Sequence, residues 1–334
     1  MKKIAIIGAG SWGTALAIVL TRSRTRHRLA LWAYEPEVCE ALRRSRTNEL
    51  FLPGFPVPTD VEVSNDFAAV LEGADFVLGV MPSAHARATY QQMLPYLQSN
   101  MIFVSATKGL EHGSLLRMSE VITQVVGQKF PPQVAVLSGP SFAREVARGD
   151  PTAVTIAAPD KTLCTLIQQE FSGPTFRLYA NDDVVGVELG GAVKNVIAIA
   201  AGICEGIGLG WNTTAALITR GLAEMTRLAV ALGGRASTLA GLAGLGDLVL
   251  TCTGALSRNR TLGVELGRGR RLEEILAATR MVAEGVGTTA ATLALARRCG
   301  VEMPITEQVH AVLYEGRPPR EAIRELMERR LTHE

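Results

Sequence analysis

The chain changes period near its middle. Through the first half, short apolar runs recur between turn residues: 3–8 (KIAIIG), 29–32, 75–80, 101–106 and 134–138, then runs near 153–157 and 175–179. Short apolar runs bounded by turn residues read as buried strands. Helical segments separate them, beginning with 14–20 and another from about Ala84. This alternation predicts a mostly parallel sheet of roughly eight strands with crossover helices. Beyond Asn181-Asp182-Asp183 the period becomes helical and stays so. The boundary is expected within 180–190, giving an α/β unit over residues 1–183 and an all-α unit over 184–334. Residues 213–232 predict a second long helix, and 321–330 a charged, solvated one.

One helical stretch, 190–202 (GGAVKNVIAIAAG), is almost wholly apolar. Leu189, Val193, Val196, Ile197 and Ala200 recur at helical spacing around a single cation, Lys194. Gly190, Gly191, Ala198 and Ala201 share its face. Each glycine inside a helix costs about 0.5–1 kcal/mol relative to alanine, so a compensating close approach, by a ligand or by another backbone, is expected there. A lysine on a buried helix loses hydration, which lowers its pKa toward the range of proton transfer. The alternative is a lysine that snorkels to the surface.

Composition narrows the class. The chain has 334 residues, 47% hydrophobic and 20% charged, with a net charge of +2. That length suits two domains, and so balanced a charge excludes a nucleic-acid surface. Arg22, Arg24, Arg26 and Arg28 read as a solvated turn after the first helix. Five cysteines without paired spacing fit a reducing cytosol and no metal site. The N-terminal apolar run is too short for a signal peptide, and no uninterrupted run approaches the ~18 residues of a membrane span. A cytoplasmic protein is therefore expected, and the apolar, glycine-rich helices of the second half predict a homodimer.

Gly8-Ala9-Gly10-Ser11-Trp12-Gly13 follows the first strand and opens the first helix. In that context G-x-G-x-x-G binds a dinucleotide. Gly8 permits the turn, Gly10 lets the pyrophosphate approach, and Gly13 lets helix and strand pack closely. The N-terminal unit is thus of Rossmann type, with the phosphates over the helix N-terminus. The second strand ends in Ala33-Tyr34-Glu35; the acid comes late for a ribose contact, and NAD and NADP both remain open. Residues 48–58 (NELFLPGFPVP) read as an ordered, structural loop flanking the cleft.

Ligands of such sheets bind beyond the carboxyl ends of the strands. Lys108, in Thr107-Lys108-Gly109, occupies such an end. Ser141, in Gly139-Pro140-Ser141, either caps the following helix or faces the same cleft. In the second half Asp247 is the one charge in AGLAGLGDLVLTCT, and it either caps a helix or meets a cation, with Lys194 the candidate. Ser257-Arg258-Asn259 at a helix N-terminus suits a phosphate, and equally an ordinary cap. His27, His85, His112, His310 and His333 show no partner pattern and read as mostly solvated.

Together these segments resemble the bacterial-type NAD(P)-dependent glycerol-3-phosphate dehydrogenase family. The likeness runs in order through GAGSWGTALA from Gly8, SATKGLE from Ser105, SGPSFA from Ser138 and LGGAVKNVIAIAAG from Leu189. It continues through LITRGLAEM from Leu217, AGLGDLVLTCT from Ala243, SRNR from Ser257 and VAEGVGT from Val282. Trp12, Tyr34 and a slightly longer loop after the first helix depart from the family pattern. The resemblance implies reversible reduction of dihydroxyacetone phosphate to sn-glycerol 3-phosphate, a precursor of phospholipids. It implies that Lys194 takes the proton in glycerol 3-phosphate oxidation, with Lys108 and Asp247 beside it. Gly139, Ser141, Ser257, Arg258 and Asn259 would join those three in contacting the substrate. Ser11, Trp12, Tyr34, Lys108, Ala143, Arg258, Val282 and Glu284 would line NAD or NADP. A two-domain hydroxy-acid reductase and a non-catalytic NAD(P)H-sensing protein are the alternative readings.

Overall fold

A computed structural model describes residues 1–278 and 282–329. β1 (Lys3–Ile7) leads through the glycine turn into α1 (Ser11–Leu20), and β2 (Arg28–Trp32) into α2 (Pro36–Arg44). β3 (Val61–Ser64), α3 (Phe67–Leu71), β4 (Phe76–Gly79), α4 (Ser83–Met93), β5 (Ile102–Ser105), α5 (Met118–Val126) and β6 (Gln133–Ser138) follow. α6 (Ala143–Arg148), β7 (Thr152–Ala157), α7 (Lys161–Phe171) and β8 (Phe176–Asn181) complete the sheet half. The eight strands lie in the order β3-β2-β1-β4-β5-β6-β7-β8. All neighbours pair in parallel except β6 and β7.

The apolar runs locate seven of these strands and pass over β3. Its four residues, VEVS, alternate, with Val61 buried and Glu62 exposed. An edge strand with one buried face has no continuous apolar run to betray it. The arginine turn is exposed at Arg22, Arg24 and Arg26, while Arg28 already begins β2. His27 departs from the solvated reading: its side chain is buried and its Nε2 lies 2.9 Å from the Glu170 carbonyl.

The other half is helical. It comprises α8 (Val184–Ile207), α9 (Trp211–Ala231), α10 (Ala236–Leu239), a π turn (Leu242–Gly246), α11 (Asp247–Thr253) and α12 (Arg258–Gly267). α13 (Leu272–Ala277), α14 (Glu284–Cys299), α15 (Pro304–Tyr314) and α16 (Pro319–Met327) finish it. The charged helix read from 321–330 is α16; Arg330 and His333 lie outside the described residues.

α8 is the axis of this half. It is long and apolar enough to cross a membrane by length and composition, but 89% of its most apolar window is buried inside the protein. Glycines bring its neighbours to backbone contact. Gly202 and Gly206 on α8 face Gly263 and Gly267 on α12. A Cβ at Gly263 would stand 2.1 Å from the Ile199 carbonyl oxygen. That contact holds the middle of α12 against the helix that carries Lys194.

Gly263→Ala weighs two opposed effects. Alanine favours the helix by about 1 kcal/mol, whereas the clash falls on a helical carbonyl that cannot turn aside. Overpacking costs about 1–3 kcal/mol and more where backbone must move. The steric cost should win, and denaturant unfolding should show Gly263→Ala less stable than the parent by about 2 kcal/mol or more.

Candidate active site

The turn after β1 has the shape a dinucleotide needs. Gly8 has φ of +121°, and a Cβ there would meet the Val80 carbonyl oxygen at 2.8 Å. A Cβ at Gly13 would fall 1.8 Å from the Gly8 carbonyl oxygen, whereas Gly10 faces open space. Gly10 is also the N-cap of α1, and no side chain caps that helix, so its first N–H groups stay free for an anion. The loop 48–58 buttresses this turn. Asn48 Nδ2 donates to the Ala9 carbonyl (2.7 Å) and to Thr14 Oγ1 (2.8 Å), and Ser11 Oγ donates to the Phe51 carbonyl (2.7 Å). Trp12 lies edge-on to Phe176 with its centroid 6.4 Å away. Tyr34, 74% exposed, stands open at the end of β2 beside Trp32.

At the carboxyl ends of β5 and β6 the two halves meet. Lys194 does not snorkel; it is 5% exposed. Its Nζ donates to Asp247 Oδ1 at 2.5 Å and to Thr251 Oγ1 at 2.9 Å. The other oxygen of Asp247 accepts from Lys108 Nζ at 2.7 Å, and Lys108 also donates to the Gly139 carbonyl at 2.8 Å. Asp247 therefore meets two cations rather than capping: it is the first residue of α11, and its side chain caps no helix. The glycines facing Lys194 admit protein, not open space. A Cβ at Gly190 would meet the Ala243 carbonyl oxygen at 2.5 Å, and one at Gly191 would meet Ser138 Oγ at 2.4 Å.

Burial holds Lys194 down to about 8, with Lys108 adding to that effect and Asp247 opposing it. Thr251, which the sequence reading missed, fixes the direction of the amine. Its hydroxyl donates to the Asp247 carbonyl oxygen at 2.5 Å, so toward Lys194 it acts as an acceptor. Two N–H groups of Lys194 are thus committed, and its third position, proton or lone pair, is the one that can face a reactant. The available signal was the i, i+4 spacing of Asp247 and Thr251 on one helix face.

The remaining predicted residues gather around this triad. Ser141 Oγ turns back on the Gly139 carbonyl at 2.9 Å instead of capping α6, whose first residue is Ala143. Ser257 does cap, accepting from the Arg260 amide at 3.2 Å. Asn259 ties three helices: its Nδ2 donates to Asn195 Oδ1 and its Oδ1 accepts from the Gly285 amide, both at 2.9 Å. Arg258 makes no hydrogen bond or ion pair among the described residues, and loss of hydration lowers its pKa. Glu284, first residue of α14, accepts from the amide (3.1 Å) and hydroxyl (2.7 Å) of Ser83, where α4 begins. Burial raises its carboxyl above the ordinary range. Val282 is exposed beside it.

A dinucleotide cradle at one strand end and a buried lysine–carboxylate pair at its neighbours suit a nicotinamide-dependent oxidoreductase. Comparison with known proteins narrows the class. Residues 3–164 match the NAD-dependent glycerol-3-phosphate dehydrogenase N-terminus and residues 183–324 the C-terminus of the same family. The chain belongs to that family. It is 61% identical over 335 residues to glycerol-3-phosphate dehydrogenase (NAD(P)+) of Koribacter versatilis, covering 100% of this chain and 99% of that protein. The enzyme of that name from Acidobacterium capsulatum is 57% identical, with 98% of both chains covered. The crystal structure of glycerol-3-phosphate dehydrogenase from Coxiella burnetii superposes with a TM-score of 0.92 at 44% identity, over 98% of this chain and 99% of that one. A PanE/ApbA family ketopantoate reductase from Ralstonia eutropha, at 17% identity and a TM-score of 0.61, shares the fold alone.

Replacing Asp247 by Asn isolates its charge. The carboxylate is what raises Lys194 against burial and Lys108, so Asp247→Asn should move the Lys194 titration below about 8. The chain has six lysines, few enough for lysine-labelled NMR to follow that one resonance against pH.

Proposed function

We propose that the triad carries out proton transfer in the interconversion of dihydroxyacetone phosphate and sn-glycerol 3-phosphate. The observation that supports this most is the direction of Lys194: buried, with two of its three positions committed and one left. Residues 1–183 would bind the dinucleotide through Gly8, Gly10, Gly13 and the N-terminus of α1, with Ser11, Trp12, Tyr34, Ala143, Val282 and Glu284 lining it. Residues 184–334 would supply the acid–base lysine and bind the substrate. NAD(P)H, held by those residues, would supply the hydride for the carbonyl carbon.

As the new C–H bond forms, charge gathers on the former carbonyl oxygen. Lys194 gives that oxygen its proton, and Lys108 stabilises the charge before the proton arrives. In the reverse direction Lys194, neutral, takes the hydroxyl proton. Asp247 and Thr251 keep the amine aimed in both states, because a neutral amine retains two N–H groups for them. The phosphate is held by Arg258 at the N-terminus of α12, with the free N–H of Asn259 and the Ser257 hydroxyl beside it. Binding energy at that distant end fixes the reacting carbon. The product serves glycerophospholipid synthesis, and the enzyme works in the cytoplasm as a homodimer. Cysteines without paired spacing support the first setting, and the exposed Leu209 and Trp211 at the α8–α9 turn support the second.

The pH dependence follows from the required state of Lys194. Oxidation needs the neutral amine, so its kcat/KM should rise with pH and level off above about 8; ketone reduction needs the ammonium and should fall through the same range. Lys194→Ala should lower kcat by about 100-fold or more and leave NADH binding unchanged; retained turnover would refute the assignment.

Arg258→Ala should act elsewhere. A lost charge-assisted hydrogen bond is worth about 1.5–3 kcal/mol, so KM for dihydroxyacetone phosphate should rise about 10- to 100-fold. An unchanged KM in the NADH-oxidation assay would remove the phosphate role.

A further inference from the structure

Six residues before Lys194 on the same helix, α8 carries a second ionisable group, Glu188. It is 7% exposed, and nothing in the reaction uses it. Its carboxylate accepts three bonds, from Arg117 Nη1 (2.7 Å), the Ser119 amide (2.8 Å) and Ser119 Oγ (2.6 Å). Those residues open α5, at the exit of the segment 106–117 that carries Lys108. The same segment is pinned at two further points. Leu110 is buried in the helical core, and Glu111 meets Arg87 through two bonds of 2.7 and 2.8 Å.

The segment and α8 therefore join like two rails with two rungs. One rung is Lys108–Asp247–Lys194, and the other is Arg117/Ser119–Glu188. The rungs are about 9 Å apart along α8, at 1.5 Å per residue. We propose that Glu188 is a positioning residue which, by gripping the exit of segment 106–117, fixes the distance of Lys108 from Asp247 and Lys194. This deepens the reading of Lys108 and Lys194 given above and rests on it. Stability alone is a poor account of Glu188, since a buried ion pair is commonly no more stabilising than apolar residues of its size.

The sign of one effect separates this role from a bare charge. The groups acting on Lys194 are Asp247, Lys108 and Cys252, with Thr251 bonded to it; Glu188 is not among them. Arg117, Ser119 and Glu120 face Glu188. Were Glu188 a distant negative charge, its loss would lower the Lys194 pKa. A brace predicts the opposite: Lys108 withdraws, its depressing effect fades, and the pKa rises.

The test compares Glu188→Gln, Ser119→Ala, Arg117→Lys and Lys108→Gln, singly and combined, in the full chain. Glu188→Gln should lower kcat about 10- to 100-fold, the scale of a displaced catalytic group. KM for NADH should stay unchanged, the limb near pH 8 should move upward, and amide exchange over 107–117 should quicken. Ser119→Ala should do the same more mildly, and Arg117→Lys should keep most of the function. Added to Lys108→Gln, Glu188→Gln should lower kcat no further. A limb that moves downward, or losses that multiply with those of Lys108→Gln, would overturn the brace. Should Lys108→Gln itself keep full turnover, the catalytic reading of Lys108 fails, and the exchange data decide the brace alone: unaltered exchange over 107–117 sinks it. If Glu188→Gln does not fold, Ser119→Ala carries the same comparisons.

Discussion

One carboxylate shared between two ammonium groups sets the terms for everything around it. Asp247 is 1% exposed, and neither lysine alone would justify burying it there. A buried ion costs several kcal/mol in lost hydration, which attraction repays only when the remaining bonding positions are filled. Here all but one are: each oxygen of Asp247 receives a lysine, and Thr251 fills a second position on Lys194. With both lysines protonated the triad would hold one net positive charge. A phosphate dianion is the natural complement of that surplus. Within the triad no buried charge is left unpaired, whereas Arg258 has no ion-pair partner among the described residues.

Such contacts demand that helices approach more closely than ordinary side chains allow. Gly190 lets the π turn reach α8, so that Asp247, the next residue, arrives beside Lys194. Gly191 makes room for Ser138 and the stem of Lys108. Gly202 and Gly263 bring in α12 with Arg258 and Asn259. Each glycine weakens its own helix by up to about 1 kcal/mol. Dispersion contact along the joined backbones and the satisfied polar groups at the centre offset that weakness. Local propensity yields here to the geometry of the site, as is common where a fold carries chemistry.

How much of this was readable depends on the range of each interaction. The dinucleotide turn was legible because its strand, glycines and helix are contiguous. Lys194 was legible because a lone cation in an apolar helix stands out, and Asp247 for the same reason. That Asp247 also meets Lys108 was not, since 139 residues separate them and Lys108 showed only a strand end. The bonds from Glu188 to Ser119 and from Glu284 to Ser83 span 69 and 201 residues. Glu188 stands out as an anion in an apolar helix, as Lys194 does as a cation, but its distant partners were not legible, and nothing local distinguishes Glu284 from a solvated acid. Ser257 and Asn259 illustrate the converse: their residue types announced a helix start correctly, while the tie from Asn259 to Asn195 and Gly285 is tertiary. β3 was lost for want of a second buried face.

The choice of lysine over histidine follows from the same bonding count. An imidazole has two nitrogens; if one is anchored, the other must both transfer the proton and hold the reactant. The amine of Lys194 offers three positions, two anchored by Asp247 and Thr251 and one free. In the proposed reaction, losing a proton from the free position would leave both anchors intact, so the group would not need to reorient between the two directions. The cost is a pKa far above neutrality in water, and burial on α8 removes most of that difference by holding it near 8. For the proton transfer proposed for Lys194, the apolar character of α8 would thus be part of the chemistry.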